Sequence, residues 1–477
     1  MTATRSEVDA PMRHFTIAII GAGFSGTLLA LHLMQRCPPC TRVLLIERNS
    51  QFGRGPAYAT SNPSHLLNVP AGRMSAYQNR PGDFIDWLHR LPAEELDSVP
   101  TPGSFVPRHF FGRYIRHLLN QEMKLDRGNE LELLRGVALG MEINARGITI
   151  NLDRERQVEA DLAVLAVGNF PPEAPPVEDP SFYDGPLYRA DPWAADTLSE
   201  LDPEVPVLLI GTGLTMADTV ISLLDQEHRG PIVALSRRGL LPQRHGGGPP
   251  GDPADMPPFP AALNLLSRQL RLCSRRSMAA GGSWQAIIDQ LRPFTADVWQ
   301  TMSLNDRQRF LRHLRPWWDT HRHRLSGSVA ARIEAARASG QLTVKAGRIR
   351  AYHATGPDRV EVEFRRRFGG EMERVTAARV INCAGPSADY ARIGDVFVRS
   401  LLEQGIVRPD ALRLGLDVTA GCALRDQHGH ISRRLFAVGP VTKGTFWEMT
   451  AVPDIRQQCE FLAGHIATQI PVRATAS

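Results

Sequence analysis

The chain has 477 residues, 43% apolar and 22% charged, which is enough for two or three cores and rules out a disordered or collagen-like polymer. Apolar runs such as Phe15 to Ile20 and Val205 to Ile210 fall far short of the about 20 residues a helix needs to cross a bilayer, so no membrane partner is expected. The formal charge of +5 is small for this length and the basic residues are scattered, which argues against nucleic acid as a partner. Of the 55 basic residues all but Lys124, Lys345 and Lys443 are arginines. Their planar forks suit carboxylates and phosphates, although a biased base composition produces the same excess. Six cysteines make no disulfide framework at this length. Residues 1 to 14 carry acidic groups and no apolar core of a signal peptide, so a reducing, cytoplasmic setting is expected. Cys37-Pro-Pro-Cys40 has the spacing of a redox pair, but it falls between a helix and a strand, where a surface loop is the plainer reading.

In chain order, His14 to Ile20 reads as a short β-branched strand. It runs into Gly21-Ala22-Gly23-Phe24-Ser25-Gly26 and a helix with Phe24, Leu28 and Leu31 on one face. The first glycine permits a tight turn, the second lets a pyrophosphate approach the backbone, and the third brings helix against strand. The helix N-terminus then faces the phosphate charge. A second strand, Arg42 to Ile46, ends at Glu47-Arg48. Glu47 stands about 20 residues beyond the glycines, where a carboxylate takes ribose hydroxyls. Leu134 to Leu139 reads as the edge strand, which makes Val137 the candidate adenine contact.

The arrangement recurs. A strand over Val205 to Ile210 precedes Gly211-Thr212-Gly213-Leu214-Thr215-Met216 and a helix through Leu224. Methionine replaces the third glycine, the one that governs helix packing more than phosphate approach. The next strand, Ile232 to Leu235, ends in Ser236-Arg237-Arg238 instead of an acid. A hydroxyl and two guanidinium groups suit a 2′-phosphate and predict NADP(H) over NAD(H), the alternative being a solvated basic turn. Leu162 to Gly168, Arg379 to Gly385 and Leu435 to Val438 are further apolar strands that end at or run into glycine, and the first two could carry the chain between domains. After Trp447 a helix is expected, with Pro453 near its first turn and Ile455, Cys459, Leu462 and Ile466 on one face.

Between these elements lie a Gly/Pro-rich loop or lid over Leu241 to Pro260 and a mainly helical stretch from Trp284 to about Gly340. The latter contains Arg315-Pro-Trp-Trp-Asp-Thr-His-Arg-His-Arg324. That cluster could bind an anionic substrate or nucleotide phosphates. The plainer reading is a partly solvated helix face with its tryptophans packed inward. His321 and His323 diverge on a helix, so no metal site is expected. No Ser-His-Asp order or nucleophile elbow stands out, and Ser25 sits inside a phosphate turn.

With these residues in place, the sequence resembles the bacterial FAD/NAD(P)-binding proteins related to class B flavin-dependent monooxygenases. The likeness runs through Gly21 to Gly26, Phe52-Gly-Arg-Gly-Pro-Ala-Tyr58, His65-Leu-Leu-Asn-Val-Pro-Ala-Gly-Arg-Met-Ser75, Phe105-Val-Pro-Arg108, Gly211 to Thr215 and Gly444-Thr-Phe-Trp-Glu448. It implies an α/β fold of two Rossmann-like dinucleotide-binding domains, the second inserted into the first. The FAD-binding domain would comprise residues 1–200 and 376–477. The NADP(H)-binding domain would comprise 201–375, with a helical insertion over about 245–340. It also implies that Gly21, Gly23 and Gly26, with Phe24 and Ser25, hold the FAD pyrophosphate, and that Glu47 and Arg48 hold the adenosine ribose. His65, Asn68 and Arg73 would lie beside the isoalloxazine ring. Gly439-Pro440 stands where relatives place an aspartate for the ribityl chain, and a helix beginning near Glu448 would point its positive end at the flavin. The stretch Tyr183-x-Gly185-x-x-x-Arg189-x-x-x-Trp193 has the spacing of the carbonyl-oxygenating fingerprint, with Tyr for Phe and Arg for His. The activity implied is NADPH-dependent oxygenation of a small substrate with O2 through a C4a-(hydro)peroxyflavin. Asn68, Arg73 and Arg189 are the candidate catalytic residues and a homodimer is the candidate assembly. A flavin reductase or dehydrogenase without oxygen insertion, and a non-catalytic redox-sensing flavoprotein, are the alternatives.

Overall fold

The computed structural model describes residues 14–246 and 258–471. The amino-terminal stretch read for a signal segment lies almost wholly outside them, as do residues 247–257 of the Gly/Pro-rich loop.

The strand Phe15–Ile20 sends alternate side chains to opposite faces of its sheet, as a period of two requires. Ile17 and Ile19 enter one core with Leu28, Phe111 and Leu462, while Ala18 and Ile20 enter another with Met141, Phe397 and Leu401. A strand apolar on both faces belongs in a covered parallel sheet. The six-stranded first sheet has the order Ala423–Arg425, Ile431–Ala437, Leu162–Leu165, Phe15–Ile20, Thr41–Glu47, Glu130–Arg135. All its pairings are parallel except that of the edge strand Ala423–Arg425. Helices Phe24–Arg36, Arg108–Glu122 and Val452–Ala467 supply residues to the first core. An antiparallel three-stranded sheet, Ala138–Ile143, Ile148–Leu152 and Gln157–Ala160, and the helix Val396–Glu403 contribute to the second.

The second sheet repeats the plan. Val207 and Leu209 point to one core and Leu208 and Ile210 to another. Its order is Met372–Ala377, Val360–Arg366, Leu342–Ala354, Ile232–Ser236, Val207–Ile210, Arg379–Asn382, Tyr188–Arg189. Strands from Leu342–Ala354 to Tyr188–Arg189 run parallel, and the other two extend the sheet antiparallel. Helices Leu214–Asp225 and Gly327–Ala338 supply Met216, Val220, Val329 and Ile333 to one of its cores. The chain is thus a mixed α/β protein whose second parallel sheet interrupts the first. Because Tyr188–Arg189 and Arg379–Asn382 pair within the second sheet, the crossings fall before Tyr188 and after Asn382, not at 200 and 375.

Three further expectations shift. Leu134 to Leu139 is not one strand. The edge of the first sheet is Glu130–Arg135, and a break at Gly136 and Val137 sends Ala138–Ile143 into the three-stranded sheet. The last helix starts at Val452, four residues beyond Glu448, with Pro453 in its first turn and Ile455, Cys459, Leu462 and Ile466 buried. Among the described residues, the first helix of the inserted stretch is Leu263–Ala279, followed by Trp284–Leu291, Thr295–Thr301 and Arg315–Arg322 among others. They share a core with Leu414 and Trp447. Cys37 and Cys40 are free thiols in the loop between a helix and a strand, and burial pushes the Cys37 thiol up to about 12.

Two outcomes follow for stability. A methyl group at Gly26 would lie 1.9 Å from the Gly21 carbonyl oxygen, so Gly26→Ala is expected to lower the urea midpoint by the equivalent of about 1–3 kcal/mol. His32 is 2% exposed, and burial, followed by the charge of Arg36, pulls its imidazole from 6.5 to about 4. The unfolded chain binds this proton below 6.5 while the folded chain resists it. The stability His32 confers is therefore complete above pH 6.5 and is lost as pH falls toward 4, by at most about 3 kcal/mol. Over that range His32→Gln should lose less of its urea midpoint than the wild type.

Candidate functional site

The first glycine turn is closed by sterics. Gly21 has φ +104°, and a Cβ there would meet the Ala166 carbonyl oxygen at 2.3 Å. A Cβ on Gly23 would lie 3.5 Å from the Gly55 Cα, so the Phe52 to Tyr58 loop walls the turn. These positions keep backbone N–H groups at the N-terminus of Phe24–Arg36 open to an anion, a trough that any side chain would fill. Phe24 packs edge-on against Tyr58, with ring centroids 5.9 Å apart. The Glu47 carboxylate accepts from Ala22 N at 2.9 Å and Asn49 N at 3.1 Å, which fixes it at the mouth with acceptor capacity left for a hydroxyl. Arg48 is bound to Asp395 at 2.9 Å. The Val137 backbone is paired with Asp153, its N–H donating to Oδ1 at 3.0 Å. Gly439, with φ +81°, abuts Ser25: a Cβ would lie 2.5 Å from the Ser25 Oγ. The last parallel strand therefore ends against the glycine turn. The residues fit a dinucleotide.

At the second turn Gly211 has φ +110°, and a Cβ would meet the Cys383 carbonyl oxygen at 2.5 Å. Gly213 is open, and Leu214 and Thr215 begin the following helix. Met216 is fully buried in the sheet core, so replacement of the third glycine is absorbed by packing. The Ser236 Oγ accepts from Gly239 N at 2.9 Å and lies 2.9 Å from the Thr212 Oγ1, holding the turn. Arg237 follows at the edge of a cavity of about 280 Å³ shared with Arg348, Arg350 and Arg365. Arg238 is partly exposed beside it.

The two domains are joined by a polar contact the sequence did not announce. Arg108, at the start of Arg108–Glu122, grips Asp218 of helix Leu214–Asp225 at 2.8 and 3.2 Å. Both side chains are nearly buried, and Arg108 Nε also donates to the Leu66 carbonyl at 3.0 Å. His65 belongs to the same joint and not to an open ring-binding surface. Its Nδ1 is 2.8 Å from Thr60 Oγ1, and its Nε2 is 2.8 Å from Ser222 Oγ and 3.1 Å from the Asp218 carbonyl. Burial pulls its imidazole down. Asn62 reaches Asp225 at 3.0 Å, and Trp193 stands edge-on to His65 at 5.8 Å. Arg189 turns to its own strand, donating to the Pro186 and Tyr188 carbonyls at 2.5 and 3.2 Å.

A second cluster lies where the helical insertion meets the Gly444 to Glu448 segment. Arg315 to Arg324 is partly solvated, but with its polarity reversed from expectation: a tryptophan faces out and arginines face in. Trp317 is 47% exposed, whereas Arg324 is 2% exposed and Arg322 is buried. The reason is a distant acid: Arg322 Nε is 3.5 Å and His323 Nε2 3.9 Å from Glu448, and Trp318 Nε1 donates to it at 2.7 Å. Burial alone would raise the Glu448 carboxyl, but Arg322 and then His323 pull it down to about 2. Lys443 lies 5.0 Å and Arg315 5.8 Å from the Trp447 ring centre, and burial followed by Arg315 lowers the Lys443 amine to about 8. Asn68 enters this region through its carbonyl, 3.0 Å from His245 Nε2. The side chains of Asn68 and Arg73 make no hydrogen bond to the described residues. Arg108 closes the Phe105-Val-Pro-Arg108 motif, and the signal for Asp218 in the sequence is an acid placed mid-helix among Met216, Ala217, Val220 and Ile221.

Residues 18–170 match the family described as FAD-NAD(P)-binding. No curated protein matches the chain in sequence. Among solved structures, the ornithine hydroxylase of Pseudomonas aeruginosa is 15% identical, with 95% of this chain and 99% of that one covered and a TM-score of 0.63. The Kutzneria ornithine N-hydroxylase, solved with reduced FAD, NADP+ and L-ornithine, is 13% identical over 96% and 99%, with a TM-score of 0.65. The cadaverine monooxygenase of Erwinia amylovora, bound to FAD, is 11% identical over 97% of both chains, with a TM-score of 0.66. The chain has the fold of two-dinucleotide-binding flavoproteins.

Removing one partner of a buried ion pair leaves the other uncompensated. Asp218→Ala is therefore expected to destabilise by about 3–5 kcal/mol, and the double variant Arg108→Met/Asp218→Leu by clearly less. Urea unfolding of the two variants checks the order.

Proposed function

We propose that this protein is an NADPH-dependent flavin monooxygenase that oxygenates a small molecule, with a primary amine as the first substrate class to try. The observation that carries this reading is the whole-chain likeness to the ornithine hydroxylases and the cadaverine monooxygenase, at TM-scores of 0.63 to 0.66. It agrees with two glycine turns whose geometry suits two dinucleotides.

When bound, the flavin supplies hydride acceptance and oxygen activation. The remaining work belongs to the chain. On this reading Gly21, Gly23, Phe24, Ser25 and Gly26 hold the FAD pyrophosphate, Glu47 the ribose, and Gly439 closes the trough against Ser25. Gly211, Gly213, Leu214 and Thr215 hold the second pyrophosphate, and Arg237 with Arg238 the 2′-phosphate. Asn68 and Arg73, whose side chains make no hydrogen bond among the described residues, orient the flavin ring or the substrate. Glu448 stays ionised among Arg322, His323 and Lys443 and fixes the charge of the inner wall. We take the setting to be the reducing cytoplasm, in keeping with six free thiols among the described residues. The second reading, a reductase without oxygen insertion, is favoured by Arg189. It stands at the fingerprint histidine and is tied to its own strand.

The purified protein should be yellow, bleach with NADPH and recover its colour in air. Mass spectrometry of reactions with a panel of primary amines should find hydroxylamine products. NADPH consumption that yields only hydrogen peroxide across amines, sulfides and ketones would support the reductase instead. Loss of one charge-assisted contact is worth about 1.5–3 kcal/mol, so Arg237→Ala should raise the KM for NADPH roughly ten-fold or more and leave that for NADH nearly unchanged.

A further inference from the structure

A cavity of about 510 Å³ opens on the outer stripe of helix Arg108–Glu122, and its lining includes no residue of either glycine turn. Arg113, Arg116, His117 and Asn120 repeat every three or four residues along that helix. The opposite stripe, with Phe111, Tyr114 and Ile115, is buried in the first core. Arg54 and Arg90 complete the basic wall, and Trp87 and Leu91 supply an apolar side.

The charges are unbalanced. Arg113 is paired with Glu95, but Arg54, Arg90 and Arg116 have no carboxylate within 4.0 Å among the described residues. The Arg54 Nε is buried without a hydrogen-bond partner among the described residues. Burial, then the charges of Arg116 and Arg113, hold the Arg54 guanidinium below its usual value. Like charges gathered on one concave wall repel each other until an anion enters, and guanidinium forks match phosphate oxygens two at a time. The volume falls in the range of about 300–1,000 Å³ found for small-molecule sites, which leaves space for more than a single phosphate.

We propose that this cavity binds a small anion carrying a diphosphate group, gripped by Arg54, Arg90 and Arg116 and resting against Trp87 and Leu91. The site is separate from both dinucleotide turns, yet it touches one of them through the backbone. Arg54 lies between Gly53, whose N–H donates to the Ala22 carbonyl at 2.8 Å, and Gly55, which packs on Gly23. The proposal does not depend on the chemistry performed at the flavin.

The test uses full-length protein saturated with FAD, and binding is assigned to the cavity only where substitutions in its wall remove it, because ADP, which has no 2′-phosphate, also fits the second nucleotide turn. Isothermal titration with inorganic pyrophosphate and with ADP should show saturable binding of at least one, weakening as salt rises. ADP binding tighter than pyrophosphate identifies a nucleotide as the source of the diphosphate; equal binding identifies the inorganic ion. Adding Arg90→Ser and Arg116→Ser, both on the exposed surface, should weaken binding at least ten-fold with an unchanged circular dichroism spectrum and Tm. Absence of saturable binding by either probe, or an affinity unmoved by the two serines, overturns the proposal.

Discussion

The ion pair between Arg108 and Asp218 is the most deeply committed charge contact at one joint between the two domains, which the helical insertion also ties together through the Glu448 cluster and the core around Trp447. Each sheet has its own pair of cores, one on each face, and neither needs the other to bury its strands. The chain crosses between them twice, and two crossings alone permit a hinge. Two nearly buried charges held at 2.8 Å do not permit one cheaply, because separating them leaves each without its partner in a low-dielectric surrounding. Asp218 also sits on the helix that starts at the second glycine turn, and Arg108 grips the Leu66 carbonyl two residues before Asn68. The joint thus ties the position of one nucleotide turn to the loop that would flank the flavin ring. Hydride transfer depends on distances that a shift of about 1 Å spoils. On the proposed function, this contact helps to hold that distance.

What was legible in the sequence was local. The strand, glycine turn and helix around Gly21 occupy some 20 consecutive residues, and Gly21 and Gly26 are each required by a clash with a returning strand or a near neighbour. The second turn could be read for the same reason, even with Met216 in the third position. The joint could not. Arg108 and Asp218 are 110 residues apart, and their pairing is fixed by how two sheets dock, which leaves no trace in periodicity. His65 illustrates the cost: its motif pointed to the flavin, while its ring nitrogens point to Thr60 and Ser222. The stretch from Arg315 to Arg324 failed in the opposite direction. Its polarity reads as solvated because composition is judged without partners, and the acid that draws Arg322 inward arrives 126 positions later as Glu448.

The excess of arginine invites a compositional explanation, and for many positions that explanation is enough. Arg42, Arg229, Arg374 and Arg408 each face a carboxylate on the surface, the ordinary fate of an arginine in a folded chain. Base composition can supply arginines, but it cannot sort them. Arg54, Arg90 and Arg116 share one cavity with no carboxylate within 4.0 Å of any of them among the described residues. Arg237, Arg348 and Arg350 share another in the same condition. A sequence drifting under compositional bias would scatter its unpaired charges, since each cluster costs repulsion. Two concave clusters, one in each nucleotide turn's domain and sharing no lining residue, are what anion binding would select.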